Sequence, residues 1–443
     1  MSPMSSITLP ADDPRSILAD RPMRLPQVVA IFICFLLNAL DGFDVLAVTF
    51  AAPGIAKDWG VGPSAIGIIV STGLVGMVIG SLTLGQLADR IGRRRQILLC
   101  LVIMTFGMLA SAFATGVVML SILRILTGLG LGAMLAAINA MSAEFANRRR
   151  RDLAVSIMAA GYPVGGIIGG WGAAQLLRTD GWEAIFLFGA GATALMIPLV
   201  LIFLPESIGW LATRGAPDAL AKINVILRRL GQPQAAQLVA LNLPKASMRA
   251  LFLDRYRVIT IALIIVYGLH MMTFYYALGW APSLVVDLGF DPSRASIVSV
   301  FMNMGGAIGG LTLGFLSPWL GLRRLLLLAM AGAGIAVAVF GVVPGDFLWL
   351  QIAAFVLGFL ANGSVVGLYA LIANVFPTTL RATGTGAVIG FGRFGAALGP
   401  FLAGQLLAAG AGRGLTSLLL GLGSLGAAAV LLAVQMRNAD ENG

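Results

Sequence analysis

The stretch Leu36-Leu-Asn-Ala-Leu-Asp-Gly-Phe-Asp-Val45 sets two carboxylates, Asp41 and Asp44, inside an apolar run from about Val28 to about Pro53. A run of that length is a transmembrane helix candidate. An Asp at the centre of such a helix costs about 2.5–3.5 kcal/mol on an insertion scale. Two acids three residues apart share one side of a helix. Asn38, three residues earlier, extends the polar stripe. That side must face protein or water rather than lipid, which makes it a functional-site candidate.

The rest of the 443-residue chain agrees with a membrane setting. It is 58% hydrophobic and 11% charged, with a mean hydropathy of +0.94. Soluble domains carry about 25% charged residues. Apolar runs separated by charges or Gly/Pro turns give twelve spans, near 27–50, 64–87, 96–114, 117–143, 153–176, 183–204, 258–282, 295–317, 325–343, 347–373, 384–409 and 415–435. The gap at Thr115-Gly116 is the weakest of these breaks. The expected fold is all-α and integral to the membrane, in two six-helix halves. Residues 1–26 form an N-terminal tail, 27–204 the first half, 205–257 a linker, 258–435 the second half and 436–443 a C-terminal tail. Asp218 to Leu230 has amphipathic helical spacing suited to the membrane surface.

The net charge of +10 serves orientation, not nucleic-acid binding. With both termini inside, 23 of the 29 Lys and Arg residues fall on the inner side, as the positive-inside rule requires. The N-terminal tail has no apolar core of the kind a cleavable signal peptide needs. The expected location is therefore the inner (plasma) membrane, multi-pass, with cytoplasmic termini. Two cysteines and one histidine exclude a disulfide framework and a histidine-cluster metal site. No cofactor is expected. Neither a Ser/His/Asp arrangement nor a P-loop is present, so an enzyme is disfavoured.

The halves repeat each other. Gly85-Gln-Leu-Ala-Asp-Arg-Ile-Gly-Arg-Arg-Arg95 follows span two, and Gly314-Phe-Leu-Ser-Pro-Trp-Leu-Gly-Leu-Arg-Arg324 follows span eight, 229 residues later. At a shift of 230, Arg151 pairs with Arg381, Gly165 with Gly395 and Gly169 with Gly399. Parallel-related halves suggest a transporter with its site at the midplane between them.

Gly85-x-x-x-Asp89-Arg90-x-Gly92-Arg93-Arg94 resembles the signature of the major facilitator superfamily. Within it, Asp41-Gly42-Phe43-Asp44 is similar to the first-helix motif of the aromatic acid:proton symporter family. Leu204-Pro-Glu-Ser207, Trp210-Leu-Ala-x-Arg-Gly215, Phe376-Pro-Thr-x-x-Arg-Ala-Thr-Gly384 and Gly392-Arg-x-Gly-Ala-x-x-Gly-Pro400 also match. The resemblance implies proton-coupled import of benzoate- or hydroxybenzoate-type carboxylates by a protein expected to act as a monomer. The alternatives are a proton-coupled exporter, a carrier of non-aromatic organic acids, or a non-transporting receptor. In one respect the chain departs from the pattern. Pro318 and Trp319 stand where the first loop has Asp89 and Arg90, and an acid is commoner there in the family.

Several residues are candidates for roles in this scheme. Asp41 and Asp44 are expected to carry protons as a coupled unit. Arg124, inside span four, needs an anion, either one of these acids or a substrate carboxylate. Arg393, among glycines in span eleven, suits a carboxylate bidentately; the alternative is a backbone carbonyl near the inner mouth. Asn38, His270, Phe274, Tyr275, Tyr276, Asn303 and Asn362 are candidate cavity residues. His270 is the one candidate for a histidine relay, or simply a hydrogen-bonded core residue. Asp89, Arg90, Arg93, Glu144, Arg151 and Arg381 are expected to gate the inner face by pairing across the halves.

Overall fold

The computed structural model describes residues 10, 12–214, 218–239, 248–376 and 380–434. Among them, twelve helices are long and apolar enough to cross a membrane. The first half holds α2 (Leu25–Trp59), α3 (Pro63–Leu82), α5 (Arg93–Ser111), α6 (Val117–Phe145), α7 (Arg151–Thr179) and α8 (Glu183–Phe203). The second holds α11 (Asp254–Val286), α12 (Pro292–Leu320), α13 (Leu322–Val342), α14 (Phe347–Val375), α15 (Arg381–Ala408) and α16 (Arg413–Ala433). Four short helices lie at one end: α1 (Pro14–Asp20), α4 (Leu87–Ile91), α9 (Ile208–Thr213) and α10 (Ala219–Arg229). That end, which also carries the linker, is called the linker face here, and the opposite end the far face.

The elements form where lipid requires them, because every backbone group in hydrocarbon must be satisfied within a helix. α2 runs nine residues beyond the span read from apolarity. Pro53 removes only one helical bond, and the helix continues through Lys57 to Trp59 before Gly60 ends it in a left-handed turn at φ +63°. The weak gap at Thr115-Gly116 is a real turn: α5 ends at Ser111, and Gly116 caps α6. The amphipathic stretch becomes α10, with Ile223, Ile226 and Leu227 buried.

The repeat is visible in the backbone. Gly92 and Gly321, 229 residues apart, break the chain at φ +103° and +81°. Both turns need a residue without a Cβ, which explains the shared glycine although the flanking charges differ. Helix packing follows the same symmetry. α3 lies against α15, and α7 against α12, so the second helix of each half meets the fifth of the other.

Hydrogen bonds joining the halves gather, among the described residues, at the far face. Arg178 Nε donates to Ser293 Oγ at 3.2 Å, and Ser293 Oγ donates to the Ala174 carbonyl at 2.7 Å. Gln405 Nε2 donates to Ser64 Oγ at 2.8 Å. At the linker face the tail and linker clasp each other instead. Arg15 bonds Asp13 and the Val239 carbonyl, while Gln232 Nε2 donates to Gln27 Oε1 at 2.8 Å.

Candidate functional site

The apolar faces of α2 and α7 meet almost backbone to backbone. A Cβ at Gly42 would run into the Tyr162 carbonyl. The glycine between the two acids therefore lets α2 lie against α7 and sets Asp41 and Asp44 at fixed depth. Asp44 is 1% exposed and Asp41 4%.

Asp44 has a partner. Arg124 Nη1 donates to Asp44 Oδ1 at 3.0 Å, and Nη2 donates to the Asp44 main-chain carbonyl at 2.9 Å. Nη1 also lies 3.4 Å from Met108 Sδ, and the guanidinium sits 6.0 Å from the centre of the Phe186 ring. Arg124 is 1% exposed. Of the anions open to it from the sequence, it takes Asp44.

Asp41 is different. Its Oδ1 is buried without a hydrogen-bond partner. The charges that act on it are Asp44 and Arg393. Arg393 comes from the second half, on α15, where Gly395 packs against the Gly268 carbonyl of α11. It is half-buried, and its electrostatic neighbours are Tyr267, Tyr369, Tyr275 and Asp41. Among the described residues, the ion pairs include neither Asp41 nor Arg393. An unpaired acid of one half thus stands near an unpaired guanidinium of the other.

A ring of polar aromatics surrounds that gap. Tyr267 and Tyr369 hydroxyls are 3.3 Å apart. Tyr162 of the first half and Tyr275 of the second are side-chain neighbours across the seam. Beside them is a small cavity of about 10 Å³ whose wall includes Tyr162, Phe274, Asn303 and Asn362, roughly the space of one water. Asn303 donates to Ser299 O at 2.9 Å, and Asn362 to Gly306 O at 2.8 Å. Tyr162, Tyr369 and Met108 were not singled out from the sequence. One signal was there for Tyr369, which lies seven residues after Asn362 and so on the same helix face.

Three other candidates face elsewhere. His270 is fully buried in the second half. Nε2 is 2.9 Å from the Ala361 carbonyl, so it carries the proton, and Nδ1 accepts from Ser424 Oγ at 2.8 Å. Both ring nitrogens are committed to joining α11, α14 and α16. Tyr276 turns away from the gap and meets Ser417 Oγ at 2.7 Å. Phe274 lines the small cavity, and Tyr275 neighbours Tyr162 and Arg393. Asn38 donates to the Met158 and Ala159 carbonyls at 2.8 and 3.2 Å and binds α2 to α7.

The expected charge layer at the linker face pairs within the first half rather than across the halves. Arg93 Nη1 donates to Glu144 Oε2 at 2.9 Å. Glu144 also accepts from Ser207 Oγ and Gly209 N, both at 2.6 Å. Glu206 accepts from Arg94 N at 3.0 Å and Ser207 N at 2.9 Å. The cause is proximity: the start of α5, the end of α6 and the start of α9 share one corner. Asp89 and Arg90 are exposed, and the Asp89 carbonyl accepts from Trp210 Nε1 at 2.9 Å. Arg151 is exposed, and the side chain of Arg381 lies outside the described residues.

Comparison with known proteins matches this architecture. The family model described as Major Facilitator Superfamily matches residues 31–346 and 263–442. The chain is 34% identical over 432 residues to a gallate transporter of Pseudomonas putida, covering 96% of each chain. It is 33% identical over 410 residues to the 4-hydroxybenzoate transporter PcaK of Acinetobacter baylyi, covering 89% of this chain and 88% of that one. The xylose transporter XylE of Escherichia coli, in a partially occluded inward open conformation, superposes with a TM-score of 0.73 at 17% identity. It covers 94% of this chain and 99% of that chain and shows the shared fold. With twelve membrane-spanning helices in two matched halves, this chain belongs to the Major Facilitator Superfamily.

Proposed function

We propose that this protein imports an aromatic carboxylate together with protons, by alternating access between its two halves. One observation carries the proposal: two buried acids and two inward guanidiniums make a single direct pair. Arg124 serves Asp44, which leaves Asp41 and Arg393 without ion-pair partners across the seam. A proton on Asp41 removes the burden of a lone carboxylate in a dry site. Arg393 is then free for a substrate carboxylate, which its planar fork suits. The tyrosines and Phe274 offer ring faces and hydroxyls to an aromatic body. The names of the gallate and 4-hydroxybenzoate relatives support a hydroxylated benzoate as cargo.

In this scheme the far face, where the halves are hydrogen-bonded together, is the external side, and the structure is an inward-facing state. The small cavity at the seam widens when the halves rock. The basic linker face lies in the cytoplasm and the protein sits as a monomer in the inner membrane. Asp89, Arg90, Arg151 and Arg381 are left to pair across the inner mouth when it closes.

The test is uptake of labelled gallate and 4-hydroxybenzoate into proteoliposomes with an imposed pH gradient. Accumulation on the side away from the acid bath is expected, collapsing with a protonophore. Movement against that direction would make the protein an exporter. Accumulation of an aliphatic acid but neither benzoate would change the cargo, and binding without transport would make it a receptor.

A further inference from the structure

Away from the seam, a second opening lies at the linker face, outside the first half. It is a cavity of about 600 Å³ between the ends of α5 and α8 and the linker helices α9 and α10. That is within the usual range for small-molecule sites. Five cations line it: Arg94, Arg95, Arg214, Lys222 and Arg229. Only two acids do, Glu206 and Asp218.

Those charges are only partly neutralised within the cavity wall. Lys222 meets Asp218 at 2.5 Å, and Glu206 is occupied by main-chain donors. Arg214 lies over the Trp210 ring at 5.1 Å. Arg94 donates through Nη2 to the Leu201 carbonyl, but its Nε is buried with no partner. Arg95 and Arg229 are exposed, and the ion pairs among the described residues include neither. A concave site with surplus, unpaired guanidiniums favours an oxyanion with several acceptor oxygens.

The rest of the wall is apolar, with Leu98, Leu201, Leu211 and Ile226 among its residues. The same two helices each carry an exposed apolar strip, Leu195 and Ile202 on α8 and Val102 and Phe106 on α5, at helical spacings of seven and four residues. A soluble anion has no use for such a strip, whereas an acyl chain does. Basic pockets at the ends of membrane helices suit anionic lipid heads. We infer that this cavity seats the phosphate head of an anionic phospholipid, with its chains lying along α5 and α8. The bound lipid bridges α10 to the membrane helices and holds the linker against the first half.

Trp210 lines the cavity and can report its occupant. The full-length protein is reconstituted in phosphatidylcholine vesicles containing a minor fraction of acyl-brominated lipid, either phosphatidylglycerol or phosphatidylcholine. The Trp210 signal is the difference between wild type and Trp210→Phe. Stronger quenching by the phosphatidylglycerol is expected. Arg95→Gln and Arg229→Gln should each lower the preference about fivefold, the effect of roughly one basic residue near an anionic surface. Arg228→Gln removes an exposed charge that does not line the cavity and should leave the preference in place. Equal quenching by the two lipids in the wild type would overturn the inference without any variant. So would an Arg228→Gln loss as large as that of Arg229→Gln, which would mean general surface charge. Abolition of the preference by inorganic phosphate would also overturn it, in favour of a free-anion site.

Discussion

Arg124 holds Asp44 by two atoms at once, the carboxylate Oδ1 at 3.0 Å and the main-chain carbonyl at 2.9 Å. The second bond ties the guanidinium to the α2 backbone, so the pair is an attachment of α6 to α2 as well as a charge match. Arg124→Gln leaves a buried carboxylate uncompensated and should cost about 3–5 kcal/mol. The Asp44→Asn, Arg124→Gln double variant should cost less than Arg124→Gln alone. A charge swap, Asp44→Arg with Arg124→Asp, should not restore stability, since an Asp at 124 would face a carbonyl oxygen. Cys34 and Cys100 are free and buried, so labelling by a thiol-reactive dye on heating reads unfolding directly. Full rescue by the swap would show that the carbonyl bond carries no weight.

Asp41 and Arg393 should separate in their kinetics. Asp41→Asn keeps shape and removes the titrating proton, so accumulation driven by a pH gradient should fall to simple equilibration. Binding of 4-hydroxybenzoate, read as a thermal shift, should survive. Arg393→Lys keeps the charge but loses the fork. Its affinity for the acid should drop about tenfold or more, equivalent to roughly 1.4 kcal/mol. Unchanged accumulation in Asp41→Asn, or unchanged affinity in Arg393→Lys, would remove that residue from its role.

The tail–linker clasp gives a pH dependence with a definite sign. Burial acts to raise the Asp13 pKa. The bonds from the Arg15 side chain and from the Arg15 and Val239 amides outweigh it, and the group is held below its ordinary value of 3.8. A carboxyl with a depressed folded pKa adds stability that is fully present above its unfolded pKa, about 3.9. That stability is lost as the pH falls through the lower folded value. Melting curves by tryptophan fluorescence between neutral pH and about pH 3 should show a shallower acid decline in Asp13→Asn than in wild type. Parallel declines would mean that the clasp does not report through Asp13. At neutral pH Asn keeps the cap on α1, so the cost, about 1–2 kcal/mol, comes from the lost charged bonds to Arg15.

Some of this was legible in the sequence because lipid leaves few choices. A charge or a turn inside a twenty-residue apolar run has to mean something, so the spans, the Asp41/Asp44 pair, Arg124 and Arg393 all stood out. Partners were less legible. Arg124 had three possible anions by composition, and only the packing of α6 on α2 selects Asp44. The consecutive Phe274, Tyr275 and Tyr276 could not be sorted, because both faces of α11 are buried and apolarity marks no inner side. Tyr162, Tyr369 and Met108 went unnoticed for the same reason: an apolar body with a polar or soft tip looks like any core residue. The loop charges were visible, but the corner where Arg93 meets Glu144 is made by three segments far apart in the chain.

Gly42 is the residue whose role the sequence motif left unexplained, and it should tolerate nothing larger. A methyl group there would overlap the Tyr162 carbonyl, a backbone atom that cannot swing aside. Gly165, on the facing helix, meets the Ala39 carbonyl in the same way, so neither helix can yield alone. Overpacking of this kind typically costs about 1–3 kcal/mol. In Gly42→Ala the strain would push α2 away from α7, carrying Asp41 and Asp44 with it. A lower melting temperature is therefore expected together with weaker proton-driven uptake, even though no charge has changed. Gly54→Ala, on the same helix but facing the Trp182 side chain at 3.1 Å, meets a neighbour that can shift. It should cost less and leave uptake close to wild type. If Gly42→Ala melts and transports like wild type, the close contact of α2 with α7 does not set the depth of the two acids.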